Sequence, residues 1–299
     1  MSMIHLMKWM APGVALALVT VLAGCEDAPP SDYVPEYVVR GYLLVDQPIR
    51  DIQITHSQSL TDTFKVERSI VSDADVRVIV DGRTLQLQYR ATGNGPGEYY
   101  LPDTTELVQP GKRYALEITT KDGAELTAQT LTPQRFDWVR PPAGRVIIPK
   151  KSDPAYLKPP DSLDLIWTED AGLPEYLISV RALDTSGYGK YLAPETPEPN
   201  ERVNPDLDEF DENRYNEMTR WGFIAGTRTP IVWAAFRWYG PHEVVVYAAD
   251  RSFINWFKMT QWSGNPEYDP LLGNVQGGIG VFGSASVIRA DVMLLKNRE

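Results

Sequence analysis

Two hairpin signals constrain the fold of this chain more than any other feature of its sequence. Asp81-Gly82 and Asp122-Gly123 each stand between segments in which apolar residues recur at every second position. The flanking apolar positions are Val76, Val78, Val80, Leu85, Leu87, Tyr89, Tyr114, Leu116, Ile118, Leu126 and Ala128. An Asp-Gly dipeptide readily adopts the left-handed backbone of a two-residue β-turn, and a period of two is typical of half-buried strands. The sequence therefore predicts antiparallel hairpins at both places.

The surrounding segment, residues 36–132, contains further short strand patterns separated by turn residues and shows no helical period. Short strands at this spacing predict an antiparallel β-sandwich over 36–132. Residues 133–161 are rich in proline, which lacks the backbone N–H that a central strand requires. We interpret 133–161 as a semi-rigid linker between domains, with an edge strand at 146–148.

A second sandwich domain is predicted over residues 162–299. It opens with a strand pattern that ends in Trp167, a turn at Pro174 and a strand that contains Tyr176. This order resembles the start of a fibronectin type III-like domain. The predicted fold class is therefore mainly β, with two antiparallel sandwiches of the immunoglobulin or fibronectin type III kind.

The second domain also carries one amphipathic helix pattern, near residues 252–262. Phe253, Trp256 and Phe257 recur at the spacing that places side chains on one helix face. The first turn can be capped by the side chain of the residue at 250 or at 252, an aspartate and a serine. Trp262 falls on the opposite, polar side of this helix.

The N-terminal residues carry an export signal. Leu22-Ala23-Gly24-Cys25 follows an apolar run that starts near Trp9 and is preceded by Lys8, which is the pattern of a lipoprotein signal peptide. The run is shorter than a membrane-spanning helix and is interrupted by proline and glycine. Residues 1–24 are therefore predicted to be removed, and the Cys25 thiol is the predicted lipid attachment site.

Residues 25–35 form the predicted lipidated tether, which prolines extend. Glu26 and Asp27, directly after Cys25, resemble an acidic signal that sends lipoproteins to the outer face of the outer membrane, although a solvated linker explains them equally well. We expect a lipid-anchored protein of the outer membrane that faces outward, with a periplasm-facing position as the alternative.

Charge and cysteine content exclude several classes of function. The formal net charge of −11 repels nucleic acid, so no nucleic-acid partner is expected. Cys25 is the only cysteine, and its lipidation would leave no thiol for a disulfide or a metal. Beyond the signal peptide the histidines are His56 and His242, and His242 is interpreted as a turn residue because it follows Gly240-Pro241.

Two motifs suggest ligands, but neither has the required context. Residues 278–283 are a literal G-x-G-x-x-G, yet no βαβ unit surrounds them, so we expect close-packing glycines and no dinucleotide cofactor. The acidic loop 206–213 fails the EF-hand spacing, so a solvated loop and an irregular calcium site both stay open and no metal is assigned. No nucleophile elbow or histidine-centred triad is present, and a non-enzymatic protein is expected.

Several segments resemble the domain-of-unknown-function 4249 family of lipoproteins. The matching pieces are residues 37–43, the segment from Gly111 to Pro133, and Gly277-Gly278-Ile279-Gly280-Val281-Phe282-Gly283. Proteins of this kind are found in bacteria with many TonB-dependent outer-membrane transporters and are often encoded beside one. The resemblance implies an accessory role at such a transporter and names no ligand.

The tryptophans of the second domain divide into core and surface candidates. Trp167, Trp233 and Trp256 are expected in the core, whereas Trp221 and Trp262 are the predicted partner contacts. The expected function is a non-enzymatic accessory or ligand-capturing partner of a TonB-dependent transporter. The alternatives are a structural or adhesive envelope lipoprotein and, third, a surface hydrolase. The hydrolase would need carboxylates or a histidine-centred pair that converge in a cleft of the folded chain.

Overall fold

The structure, a computed structural model, describes residues 33–59, 63, 65–93, 95–169, 173–205, 218–262 and 272–298, with only the backbone at 261 and 262. The chain divides into two compact units. The larger unit consists of residues 36–57 and 65–299, and the smaller unit consists of residues 1–35 and 58–64. Within the smaller unit the structure describes only residues 33–35, 58, 59 and 63. The predicted signal peptide, Cys25, most of the tether and the acidic loop lie outside the described residues.

The part of the chain that the structure describes is mainly β, as predicted, and every element lies in the larger unit. The strands are β1 (Tyr37–Leu44), β2 (Gln53–His56), β3 (Asp75–Val80), β4 (Arg83–Gln86), β5 (Gln88–Arg90), β6 (Glu98–Tyr100), β7 (Arg113–Thr119), β8 (Glu125–Leu131), β9 (Trp138–Arg140), β10 (Arg145–Ile147), β11 (Leu165–Trp167), β12 (Glu175–Ala182), β13 (Thr219–Ala225), β14 (Arg228–Thr229), β15 (Gly240–Ala249) and β16 (Ile279–Leu295). The α-helices are α1 (Val66–Ser69), α2 (Pro154–Leu157) and α3 (Arg251–Phe257). Helical turns of other types span Asp161–Leu163, Gly189–Tyr191, Trp233–Ala235 and Lys258–Trp262.

Both predicted hairpins are confirmed within a four-stranded antiparallel sheet of order β4-β3-β7-β8. Asp81 and Gly82 both have positive φ, 49° and 74°, as the tight turn between β3 and β4 requires. The inward side chains of this sheet, including Val78, Leu116 and Leu126, form one hydrophobic core with residues of β1 and β2.

The largest sheet has seven strands in the order β13-β12-β15-β16-β1-β2, with β10 beside the end of β16. β1 pairs with β16 in parallel, from Val38 opposite Ile279 to Leu44 opposite Ala285. The pairing therefore joins strands that the sequence analysis assigns to separate sandwiches over 36–132 and 162–299. The alternation that identifies each strand says which face is buried but not which strand lies beside it, so it could not reveal this pairing.

The proline-rich segment 133–161 differs from a simple linker because it contributes strands to two sheets. β10, Arg145–Ile147, pairs in parallel with the end of β16, which confirms a strand close to the predicted edge position. β9 joins a three-stranded sheet of order β14-β11-β9. Side chains of that sheet, with Trp167 at its centre, share a core with one face of the large sheet.

The opposite face of the large sheet is covered by α3. Phe253 and Ile254 of this helix are buried against Leu177, Ala249 and Ala285. The predicted helix is thus present, over Arg251–Phe257 with a π-helical turn to Trp262, and Asp250 is its N-cap, since its carboxylate accepts a hydrogen bond from the Phe253 N–H at 2.7 Å.

The glycines of 278–283 serve close packing, as the sequence indicates. A Cβ atom on Gly280 would lie 2.9 Å from the Val39 nitrogen and nearer still to its carbonyl oxygen, and one on Gly278 would lie 2.7 Å from the Tyr37 oxygen. One on Gly283 would lie 3.0 Å from the Phe253 Cβ. These glycines allow β16 to approach β1 and α3, and β16 continues as a strand where dinucleotide binding would need a helix.

Candidate functional site

β13 lies at one end of the seven-stranded sheet and presents its backbone edge. The Ala182 N–H donates a hydrogen bond to the Met218 oxygen at 2.9 Å. Together with the register of β12 and β13, this bond identifies the residues of β13 whose backbone groups are hydrogen-bonded to β12. Because bonded and non-bonded pairs alternate in antiparallel sheets, the N–H and C=O groups of 219, 221, 223 and 225 point away from β12. Among the described residues no strand pairs with that side of β13. Such an edge is a template for another strand.

One face of β13 carries an aromatic cluster, which we define as Trp221, Phe223, Tyr247 and Phe257. The Trp221 ring lies 4.9 Å from the Phe257 ring and 5.7 Å from that of Tyr247, and Phe223 lies 6.0 Å from Phe257. All four side chains are partly buried beside the core under α3. Large, half-buried aromatic side chains are typical anchors of protein interfaces.

Lys258 closes one side of the aromatic cluster. Its Nζ lies 2.6 and 2.8 Å from the two Glu175 carboxylate oxygens and 4.7 Å from the centre of the Phe223 ring. The aromatic cluster thus has an ion pair at its edge, an apolar centre with a polar margin as in protein interfaces.

The other face of β13 borders an apolar cavity of about 150 Å³ between the large sheet and the three-stranded sheet. Its lining includes Leu165, Ile178, Val180, Gly222, Phe236 and Val244. Sequence analysis does not find this cavity; the one signal for it is the glycine at 222 inside a strand pattern.

The predicted contact residues have different outcomes. Trp221 lies in the aromatic cluster at the sheet edge, partly buried by Phe257 and Tyr247. The side chain of Trp262 lies outside what the structure describes, so its assignment stays a prediction. Trp167, Trp233 and Trp256 are 1, 4 and 8% exposed, which confirms them as core residues.

A buried polar network that the sequence analysis missed holds α3 on the fold. The Asp250 carboxylate accepts hydrogen bonds from the Thr130 hydroxyl and from the Ser284 hydroxyl, the latter at 3.4 Å, and the two hydroxyl oxygens lie 2.6 Å apart. Burial raises the pKa of Asp250, although these bonds and the Phe253 N–H act in the opposite direction. The network joins β8, β16 and α3 through one carboxylate.

His242 is not a turn residue, as the sequence suggested, but a fully buried residue of β15. Gly240-Pro241 begins the strand, and only Gly240 needs a positive φ, 92°. The His242 Nδ1 lies 3.0 Å from the Gly240 oxygen, whereas Nε2 has no hydrogen-bond partner among the described residues. Burial lowers the pKa of His242 to about 4.

The buried histidine predicts a pH dependence of stability. The unfolded chain takes up the His242 proton near pH 6.5 and the folded chain only near pH 4, so the free energy of unfolding falls as the pH drops through this window, by up to about 3 kcal/mol. Urea unfolding at several pH values measures this slope. His242→Gln, which cannot titrate, is expected to flatten it; an equal slope in both proteins would contradict the assignment.

A carboxylate pair is present but is committed to structural contacts. The Glu98 carboxylate accepts hydrogen bonds from Arg90 Nε and the Asp51 N–H, each at 2.8 Å. Burial raises the pKa of Asp51, and the nearby Glu98 carboxylate adds to this. Within the described ranges no three His, Cys, Asp or Glu side chains form a group that could hold a metal ion.

Comparison with known protein families identifies the family of this chain. A family model described as a domain of unknown function, DUF4249, matches residues 27–290, which is most of the chain. No curated protein matches the sequence. In the part of the chain that the structure describes, no helix is long and apolar enough to cross a membrane.

Proposed function

The chain belongs to the DUF4249 family, and from that premise we propose that it is an outer-membrane lipoprotein that serves, without catalysis, as an accessory or ligand-capturing partner of a TonB-dependent transporter. The lipoprotein signal at Cys25 and the family resemblance support the location and the partner. The observation that carries the proposal is β13, an edge strand with an aromatic cluster on one face.

The proposed contact uses both the backbone and the side chains of β13. An extended segment of the transporter adds to the outward N–H and C=O groups as a further strand, and Trp221 and Phe257 anchor its side chains. The lipid and the tether hold the protein near the membrane and raise its effective concentration at the transporter, so a weak contact is sufficient.

Affinity purification of the tagged full chain from detergent-solubilised outer membranes tests this proposal. We expect a TonB-dependent transporter to be recovered with the wild type. Trp221→Ala is expected to reduce recovery strongly, since loss of a central aromatic anchor costs about 2 kcal/mol or more, roughly 30-fold in affinity. Ala225→Pro is expected to act in the same direction, because it removes an outward N–H without removing a bond to β12.

The matched control is Leu157→Ala, which truncates an apolar side chain that is 87% exposed on α2, outside β13 and the aromatic cluster. It should leave recovery unchanged, and thermal unfolding of each variant shows that the fold is retained. Recovery of the lipoprotein alone would overturn the accessory role and favour the structural or adhesive alternative. Equal recovery with all variants would move the contact away from β13.

A further inference from the structure

The apolar cavity lies on the face of β13 opposite the aromatic cluster. Because the side chains of a strand alternate, Arg220, Gly222 and Ile224 are on the cavity face of β13, whereas Phe223 is on the face toward α3. Trp221 packs with Phe223 beside α3 and also contributes to the cavity lining. The segment 230–236 forms another wall, in which Val232 is 50% exposed. The cavity is therefore close to solvent at Val232 and buried at Val180 and Val244.

Volume and lining define what the cavity accepts. An enclosed apolar cavity of about 150 Å³ holds one benzene-sized molecule, and the cavity beside β13 has the same volume and a mainly aliphatic and aromatic lining. The hydroxyl of Thr229, which also lines the cavity, donates to the Pro230 oxygen at 3.1 Å and is therefore already committed. Arg220 also lines the cavity, whereas the remaining lining is aliphatic, aromatic or glycine, so the part of an occupant that contacts this remaining lining is apolar.

Gly222 keeps this space open. A Cβ atom at this position would lie 3.4 Å from Ile178 Cγ2, an ordinary contact distance, and the glycine has no positive φ. The backbone therefore does not require glycine here. A longer side chain at 222 would point toward Ile178 and into the cavity, since residues 222 and 178 are paired and share a face.

We propose that this cavity is a binding site for the apolar end of a small ligand, a single aromatic ring or a branched alkyl group of about the size of benzene. The inference deepens the ligand-capturing part of the proposed function by naming the class of ligand. It is tested separately from the transporter contact, because Ile178 and Ile224 line the cavity and are not part of the aromatic cluster.

Benzene is the probe, and the full chain in phospholipid nanodiscs, labelled with ¹³C at isoleucine methyl groups, is the sample. We expect saturable chemical-shift changes at the Ile178 and Ile224 methyls as benzene is added. Intermolecular nuclear Overhauser effects between benzene protons and these methyls should accompany the changes. The reference methyls of Ile54 and Ile118, buried in the other core, should not shift. Site-specific methyl signals separate binding in the cavity from partitioning of benzene into lipid.

Gly222→Leu is expected to fill the cavity and to weaken benzene binding at least 10-fold. Gly222→Ala, which adds one carbon at an ordinary distance, should bind nearly as the wild type does. Unchanged Ile54 and Ile118 signals verify the fold of both variants. Absence of shifts at Ile178 and Ile224 in the wild type, or equal binding by Gly222→Leu, would overturn the proposal.

Benzene binding without recovery of a transporter would reject only the accessory role, and transporter recovery without benzene binding would reject only this inference.

Discussion

Replacement of Gly280 by alanine is expected to destabilise the fold by more than about 4 kcal/mol, an exceptionally large loss for a single substitution. The new Cβ would meet backbone atoms of Val39, including its nitrogen at 2.9 Å, and a backbone cannot move aside as a side-chain tip can. Gly280 also has φ +125°, outside the range that other residues adopt easily. Relief of the clash requires separation of β1 from β16. Urea unfolding followed by circular dichroism measures the loss.

Gly123→Ala is the matched control. Gly123 also has a positive φ, 87°, but a Cβ atom there meets nothing within 4 Å. Its replacement by alanine should therefore lower the free energy of unfolding only by the cost of a positive φ for a residue with a Cβ atom, about 1–2 kcal/mol. Equal losses for the two variants would show that the close approach of β1 and β16 is not what makes Gly280 essential.

Asp250→Ala is expected to have the next largest effect, a loss of about 3 kcal/mol in the free energy of unfolding. The substitution removes the N-cap of α3, which contributes about 1 kcal/mol, and takes from the buried Thr130 hydroxyl its carboxylate acceptor, whereas the Ser284 hydroxyl keeps the Leu131 oxygen at 3.2 Å. Asp250→Asn retains a carbonyl oxygen for the Phe253 N–H and should lose about 1 kcal/mol or less. Equal losses for alanine and asparagine would show that the carbonyl oxygen is unimportant.

The pH dependence separates the charge of Asp250 from its hydrogen bonds. Because burial raises the pKa of this carboxyl, the folded chain holds the proton at higher pH than the unfolded chain does. The contribution of Asp250 to stability is therefore largest at low pH and declines as the pH rises through the folded pKa. Asp250→Asn lacks this decline, so the difference between the two proteins should narrow as the pH is raised.

Local signals predicted the elements that local residues determine. The Asp-Gly turns, a helix cap at Asp250 or Ser252 and the packing role of the glycines in 278–283 all follow from residues close together in sequence, and the structure selects Asp250 as the cap. The partner of β1 does not, because a strand with one buried face can pair with many others. The proline content of residues 133–161 favours a domain boundary there. The structure nevertheless places β1 and β16, from the two sides of that boundary, next to each other in one sheet.

The candidate functional site likewise combines features that local sequence predicts with features that depend on strand order and long-range contacts. Trp221 is a candidate because a large aromatic residue outside the expected core suggests a surface contact. Its position at a sheet edge depends on strand order, which the sequence does not state. The contacts of Asp250 with Thr130 and of Thr130 with Ser284 join residues that are 120 and 154 positions apart in sequence, so no local sequence pattern predicts these contacts. The cavity likewise depends on how two sheets face each other.

The position of β1 has a mechanical consequence. A force applied at the beginning of β1 and directed along that strand would act parallel to its neighbours in the sheet. The hydrogen bonds of β1 to β16 on one side and to β2 on the other run across that direction. These hydrogen bonds are consequently loaded in shear and have to rupture together. A force perpendicular to the strand, in the plane of the sheet, would instead break them one after another. The position of β1 between β16 and β2 therefore resists extraction of this first strand from the sheet by a force along it.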